Sequence, residues 1–66
     1  MIKLTVRIGF EVHDWYVHEK NAVKWNPERV ESHFKAKVKS TYGAGAKLER
    51  VADENDNTLW EKANEH

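Results

Sequence analysis

The sequence predicts an α+β domain: an antiparallel sheet of three to four strands with one α-helix packed on one face, in the order β-β-α-β-β. Three observations carry this expectation. The chain opens on a sustained period-two alternation, its middle holds a helix with both start and stop signals, and a polar cluster near the end separates two short extended segments. Helix on one face of an antiparallel sheet is the economical way to bury such elements. A β-grasp-like layout is one candidate on element order alone.

The first strand is read from Ile2, Leu4, Val6, Ile8, Phe10 and Val12, which alternate with Lys3, Thr5, Arg7, Gly9 and Glu11. β-branched and aromatic residues on one phase and polar ones on the other describe a strand with one dry face. Unbroken over residues 2–12, it would be about 36 Å long at ~3.3 Å per residue. A helix of sixteen residues spans only about 24 Å. Gly9 must therefore bend the strand, or its far end at Phe10 and Val12 must be covered by something else. His13-Asp14 offers a turn, and Trp15 to Trp25 reads as a second extended segment with a bulge or break at Asn21.

Asn26-Pro27 starts the helix. Asn caps free backbone amides, and Pro suits the first helical position, where a missing N–H is no loss. Glu28 and Glu31 lie near the positive end of the dipole and Lys35, Lys37 and Lys39 toward the negative end. Val30, Phe34, Val38 and Tyr42 form the apolar stripe, so the helix runs from Pro27 to Tyr42. Gly43 then stands where a left-handed residue ends helices. This settles the meaning of Tyr42-Gly43-Ala44-Gly45-Ala46-Lys47, which superficially suggests a phosphate loop. Such a loop needs its glycines before a helix, whose amides point at the anion; here they follow one.

Leu48 to Ala52 and Thr58 to Glu61 are the last two strands, joined through the cluster Asp53 to Asn57. Thr58 followed by Glu61 also fits a capping box, which would make Leu59 to Asn64 a short helix. The hairpin is the preferred reading, with residues 63–66 a frayed tail. The whole chain, residues 1–66, is a single small domain.

Sixty-six residues with no cysteine exclude disulfide staples and thiolate metal sites and fit a reducing compartment. Lys3 and Arg7 interrupt any apolar core of a signal peptide, and no apolar run approaches a membrane span. The expectation is a complete cytoplasmic product with no membrane association. Net charge is zero, but residues 35–50 are basic and residues 51–66 acidic.

Catalysis is not expected, nor any metal or cofactor. His13, His18 and His33, with Asp14 and Glu19, lack the spacing of a known zinc site. Ser32 and His33 are neighbours on a helix and diverge, and no nucleophile-elbow motif is present. The aromatics point instead to binding: three Trp and two Tyr are many large rings for this length. Some indoles should complete a thin core. Trp15, Tyr16 and Trp25 are the contact candidates, with Phe10 and Val12 as an edge or homodimer contact. The expected function is a protein-binding module, a regulator or inhibitor of a larger protein such as small accessory and phage-encoded proteins supply. The alternative is nucleic-acid binding through Lys35, Lys37, Lys39, Lys47 and Arg50.

Overall fold

The computed structural model describes residues 1–62; the expected frayed tail at 63–66 lies outside them. Four strands form one antiparallel sheet in the spatial order β2-β1-β3-β4, and a single α-helix packs on one face. The strands are β1 (Ile2–Ile8), β2 (Glu11–Val17), β3 (Ala46–Ala52) and β4 (Thr58–Glu61). The helix α1 is Pro27–Tyr42. Because β2 and β3 both run antiparallel to β1, the helix connects two parallel strands with β1 between them. A β-grasp would set the first and last strands side by side. Here β4 lies outside β3, and no pair is parallel.

The long first strand does not persist. It turns back on itself at Gly9-Phe10, with Ile8 opposite Glu11. Gly9 has φ +64°, and a glycine at the first position of a two-residue turn is the mark of the type II′ hairpin. The turn flips the side-chain phase. In β1 the even residues Ile2, Leu4, Val6 and Ile8 face the helix. In β2 their partners Val17, Trp15, His13 and Glu11 do so, which sends Val12, Asp14 and Tyr16 to the open face. The expected turn at His13-Asp14 is instead the middle of β2.

The second extended segment is also shorter than read. Only Trp15 to Val17 belong to β2; Lys20–Lys24 coil into a 3₁₀ turn that buries Ala22. This stretch carries lysine at both ends and only Ala22 and Val23 as adjacent apolar residues, of which Ala22 alone is buried, so it has no alternating face to line a sheet. Trp25 leaves it extended at ψ 152°, and Asn26, directly before Pro27, is extended at ψ 160° as the proline ring favours.

The helix forms as its signals dictate. Asn26 Oδ1 accepts from the Arg29 amide at 2.8 Å, and the Gly43 amide donates to the Lys39 carbonyl at 2.9 Å with φ +91°. Val30, Phe34 and Val38 are fully buried against Ile2, Leu4, Val6, Val17, Leu48 and Val51. Tyr42, the last of the stripe, is exposed instead.

β3 begins two residues earlier than its alternation suggests, because it carries a bulge. Thr5 pairs with Arg50 and Val6 with Leu48, leaving Glu49 as the extra residue. That insertion explains why the buried residues Leu48 and Val51 are three apart. A second irregularity in β4 falls at Leu59, between Trp60 opposite Val51 and Thr58 opposite Ala52. The competing terminal helix is absent from the described residues.

The hairpin between β3 and β4 is built on Asp53. Its carboxylate accepts from the amides of Asn55 and Asn57, both at 2.9 Å, and these bonds hold the carboxyl below the usual carboxylate range, the Asn57 amide most strongly. Asp56 takes the left-handed conformation at φ 64°. Arg50 ties the turn down: Nη1 donates to Asp56 Oδ1 at 3.0 Å, Nη2 to the Asp56 carbonyl at 3.0 Å, and Nε to Thr58 Oγ1 at 2.9 Å.

Candidate interaction surfaces

The first surface is the β2 edge. In a two-residue hairpin the residues flanking the turn share both ladder hydrogen bonds, and the pattern alternates from there. Glu11, His13, Trp15 and Val17 therefore bond inward to β1. Val12, Asp14 and Tyr16 aim their N–H and C=O groups out of the sheet. No described strand lies beyond them.

The side chains along this edge are apolar where solvent should favour charge. Phe10, at the hairpin tip, is completely exposed, and Val12 and Tyr16 are 53% and 54% exposed. On the helix side Trp15 is half-buried, with Tyr42 edge-on at 5.4 Å between ring centroids. A strand laid beside β2 would meet Val12 and Tyr16 on one face and Trp15 with Tyr42 on the other. The sequence reads Tyr42 as the last residue of the core stripe and, in the nucleic-acid alternative, as a stacking ring, but not as part of this edge. Its distance along the stripe, four residues past Val38 and beside the terminating glycine, is the signal that it hangs at the helix end.

Trp25 is placed elsewhere. It stands beyond β2, its ring under the Arg29 guanidinium at 4.4 Å and edge-on to His33 at 4.9 Å, and it packs against the core. The structure thus gathers Phe10, Val12, Trp15 and Tyr16 along one hairpin and leaves Trp25 to close the helix N-terminal end. His33 Nε2 donates to Glu19 Oε1 at 3.1 Å, and Lys37 Nζ donates to the same oxygen at 3.3 Å. These bonds, the His33 bond foremost, hold the Glu19 carboxyl below the usual range against the opposing effect of burial.

The second surface is a groove of about 430 Å³ between the C-terminal half of α1 and the strands β3 and β4. Val38, Ala46, Leu48 and Trp60 form its floor, and Lys35, Lys39 and Lys62 stand around it. Of the basic residues singled out in the sequence, the fold brings Lys35 and Lys39 together here; Lys47 borders the groove through its backbone, and its side chain, opposite Arg7, lies on the other face of the sheet. Lys37 points away to Glu19, and Arg50 is engaged by the Asp56 turn. Trp60 and Lys62 were not singled out for this site. Their alternation with the β4 pairing would have placed both on the helix face.

Among the described residues no group of His, Asp or Glu side chains could hold a metal ion, and no helix is long and apolar enough to cross a membrane. The fold and these two surfaces define a small α+β domain with one sheet edge left open. No protein family, curated protein or solved structure matches the chain.

Proposed function

We propose that the protein is a non-catalytic binding module that takes an extended segment of another protein against β2, acting in the cytoplasm as a regulator or inhibitor of that larger protein. The observation that carries this reading is the unpaired seven-residue β2 edge, flanked by exposed Phe10, Val12 and Tyr16. Strand addition draws affinity from main-chain hydrogen bonds and specificity from alternate side chains. Holding a strand of a larger protein also withdraws that strand from its own use. A second copy of this chain is the less favoured occupant. Two-fold pairing about the middle of β2 sets Asp14 against Asp14, and like charges directly opposite destabilise a sheet.

The test uses backbone chemistry. Proline is tolerated on an edge strand where its missing N–H faces solvent. Asp14→Pro should therefore keep the fold and remove the central donor of the open edge. Tagged wild type, Asp14→Pro and Phe10→Ser are each used to capture partners from source-cell lysate at moderate salt, with and without nuclease. The expected result is one stoichiometric protein on the wild type, lost with Asp14→Pro. Adding that protein should slow amide exchange at Val12, Asp14 and Tyr16. Capture that ignores Asp14→Pro, or that vanishes with nuclease, would overturn the reading.

A further inference from the structure

We infer that the lysine-rimmed groove between α1 and β3–β4 is a second binding site, and that its ligand is single-stranded nucleic acid, with one base against Trp60 and the flanking phosphates on the lysines. This does not rest on the β2 edge, which lies on the opposite side of the sheet.

Charge is the first argument. Three lysine side chains, Lys35, Lys39 and Lys62, border one space of about 430 Å³, and among the described residues no carboxylate lines it. Of the three, only Lys35 has an ion-pair partner among the described residues, Glu31 one helical turn away at 2.5 Å. The chain has zero net charge, so such a concentration is local and arises from the fold. Lys35 and Lys39 stand four apart on one helix ridge, and Lys62 extends β4 through its amide bond to the Glu49 carbonyl at 2.9 Å. Like charges brought together from the helix and the sheet repel one another, and an anion between them relieves that repulsion. The negative end of the helix is blunted here by the Gly43 amide on the Lys39 carbonyl.

The floor is the second argument. Trp60 packs on the core with one side and lines the groove with another, and the Lys35 ammonium lies 5.4 Å from its ring centroid. An indole among cations is the pairing that single-strand binders use: bases stack on the ring and lysines track the backbone. The groove volume lies in the range of small-ligand sites, enough for one nucleotide unit in a strand that continues past both ends. A duplex keeps its bases stacked inside and has none to offer the indole. An acidic peptide would satisfy the lysines and leave the ring unused.

The experiment is fluorescence anisotropy with labelled oligothymidylate, the same strand in duplex form, a mononucleotide, and an acidic peptide. The single strand should bind most tightly. With about three phosphates contacted, at a slope of about −0.7 per phosphate, affinity should fall roughly 20-fold between 50 and 200 mM salt. Lys39→Gln and Lys62→Gln should each weaken binding, whereas Lys37→Gln, the same charge change on the Glu19 side, should not. Trp60→Leu keeps an apolar filler, removes the stacking face, and should cost about 5- to 100-fold. If that variant fails to fold, the lysine comparison still decides. Equal loss with Lys37→Gln, equal binding of duplex or acidic peptide, tighter binding of the mononucleotide, or no binding at all would overturn the inference.

Discussion

The two edges of the sheet are built on opposite plans. β4 has four residues, an irregularity at Leu59, and a turn held by the Arg50 guanidinium. A short, bulged, tied edge is poor at accepting another strand. β2 has seven residues in unbroken register with β1, starts directly after an exposed phenylalanine, and carries the apolar side chains Val12 and Tyr16 on its solvent side. One sheet thus protects one edge and leaves the other open. The difference teaches where to look for a partner, because open regular edges are otherwise an aggregation hazard in a small domain.

Removing the protection of β4 should give the largest effect. Arg50→Ala deletes the bonds to Asp56 and Thr58 and leaves the left-handed turn residue without its clamp. Hydrogen bonds to charged groups contribute roughly 1.5–3 kcal/mol, and Arg50 is only one-quarter exposed. A loss of about 2 kcal/mol is expected in urea unfolding, with faster amide exchange confined to residues 53–61. Exchange that stays slow in β4 would show that the turn stands without Arg50 and that the contrast between the edges has another cause.

The β2 side can be tested at Gly9. A Cβ there would meet nothing within 4 Å, so packing cannot resist it. The backbone does: φ +64° costs an L-residue about 1–2 kcal/mol. Gly9→Ala should lower stability by that amount and fray the hairpin tip first. An unchanged midpoint would mean that the turn relaxes into another type and that the register of β2 is not set by Gly9.

How far the sequence announced this architecture follows from the same contrast. The helix was legible to the residue because its signals are chemical: Asn26 caps, Pro27 starts, Gly43 ends. β4 was legible from the polar cluster that precedes it. The β1–β2 hairpin was not, because Gly9 sits inside an alternation that continues through Phe10 and Val12 as if nothing happened. A two-residue turn inverts the phase without breaking the period, so residues that look like core emerge on the open face. The polar pair His13-Asp14, in the middle of β2, then reads as a turn. Phe10 and Val12 were still picked as contact residues, since a strand longer than its helix leaves an end uncovered. The lysine groove was half visible: Lys35 and Lys39 share a ridge, but Lys62 and Trp60 join them only once the bulge at Glu49 fixes the pairing of β4.

The smallest effect, and the one that sharpens the comparison most, is its dependence on pH. Both halves of the molecule hold carboxyls below the usual range: Glu19, just after β2, through His33 and Lys37, and, before β4, Asp53 through the amides of its own turn and Glu54 through the N-terminal ammonium. A carboxyl whose folded value is depressed adds stability that is fully present above its unfolded value and is lost as pH falls through the folded one. Acidification should therefore weaken both halves, and single substitutions separate them. Glu19→Gln should remove the part of the acid dependence that reports on the α1 anchor of the β2 side, seen as a shallower fall of the unfolding midpoint once pH drops below the ordinary carboxyl value of 4.5. Asp53→Asn should do the same for the β4 turn and leave the Glu19 contribution intact. Because Asp53 acts inside its own turn whereas Glu19 ties the segment after β2 to the helix, amide exchange in acid should quicken around residues 18–25 only when Glu19 is protonated or replaced. Uniform quickening across both edges would mean that the two halves open as one unit, and that the open edge owes nothing to a looser attachment.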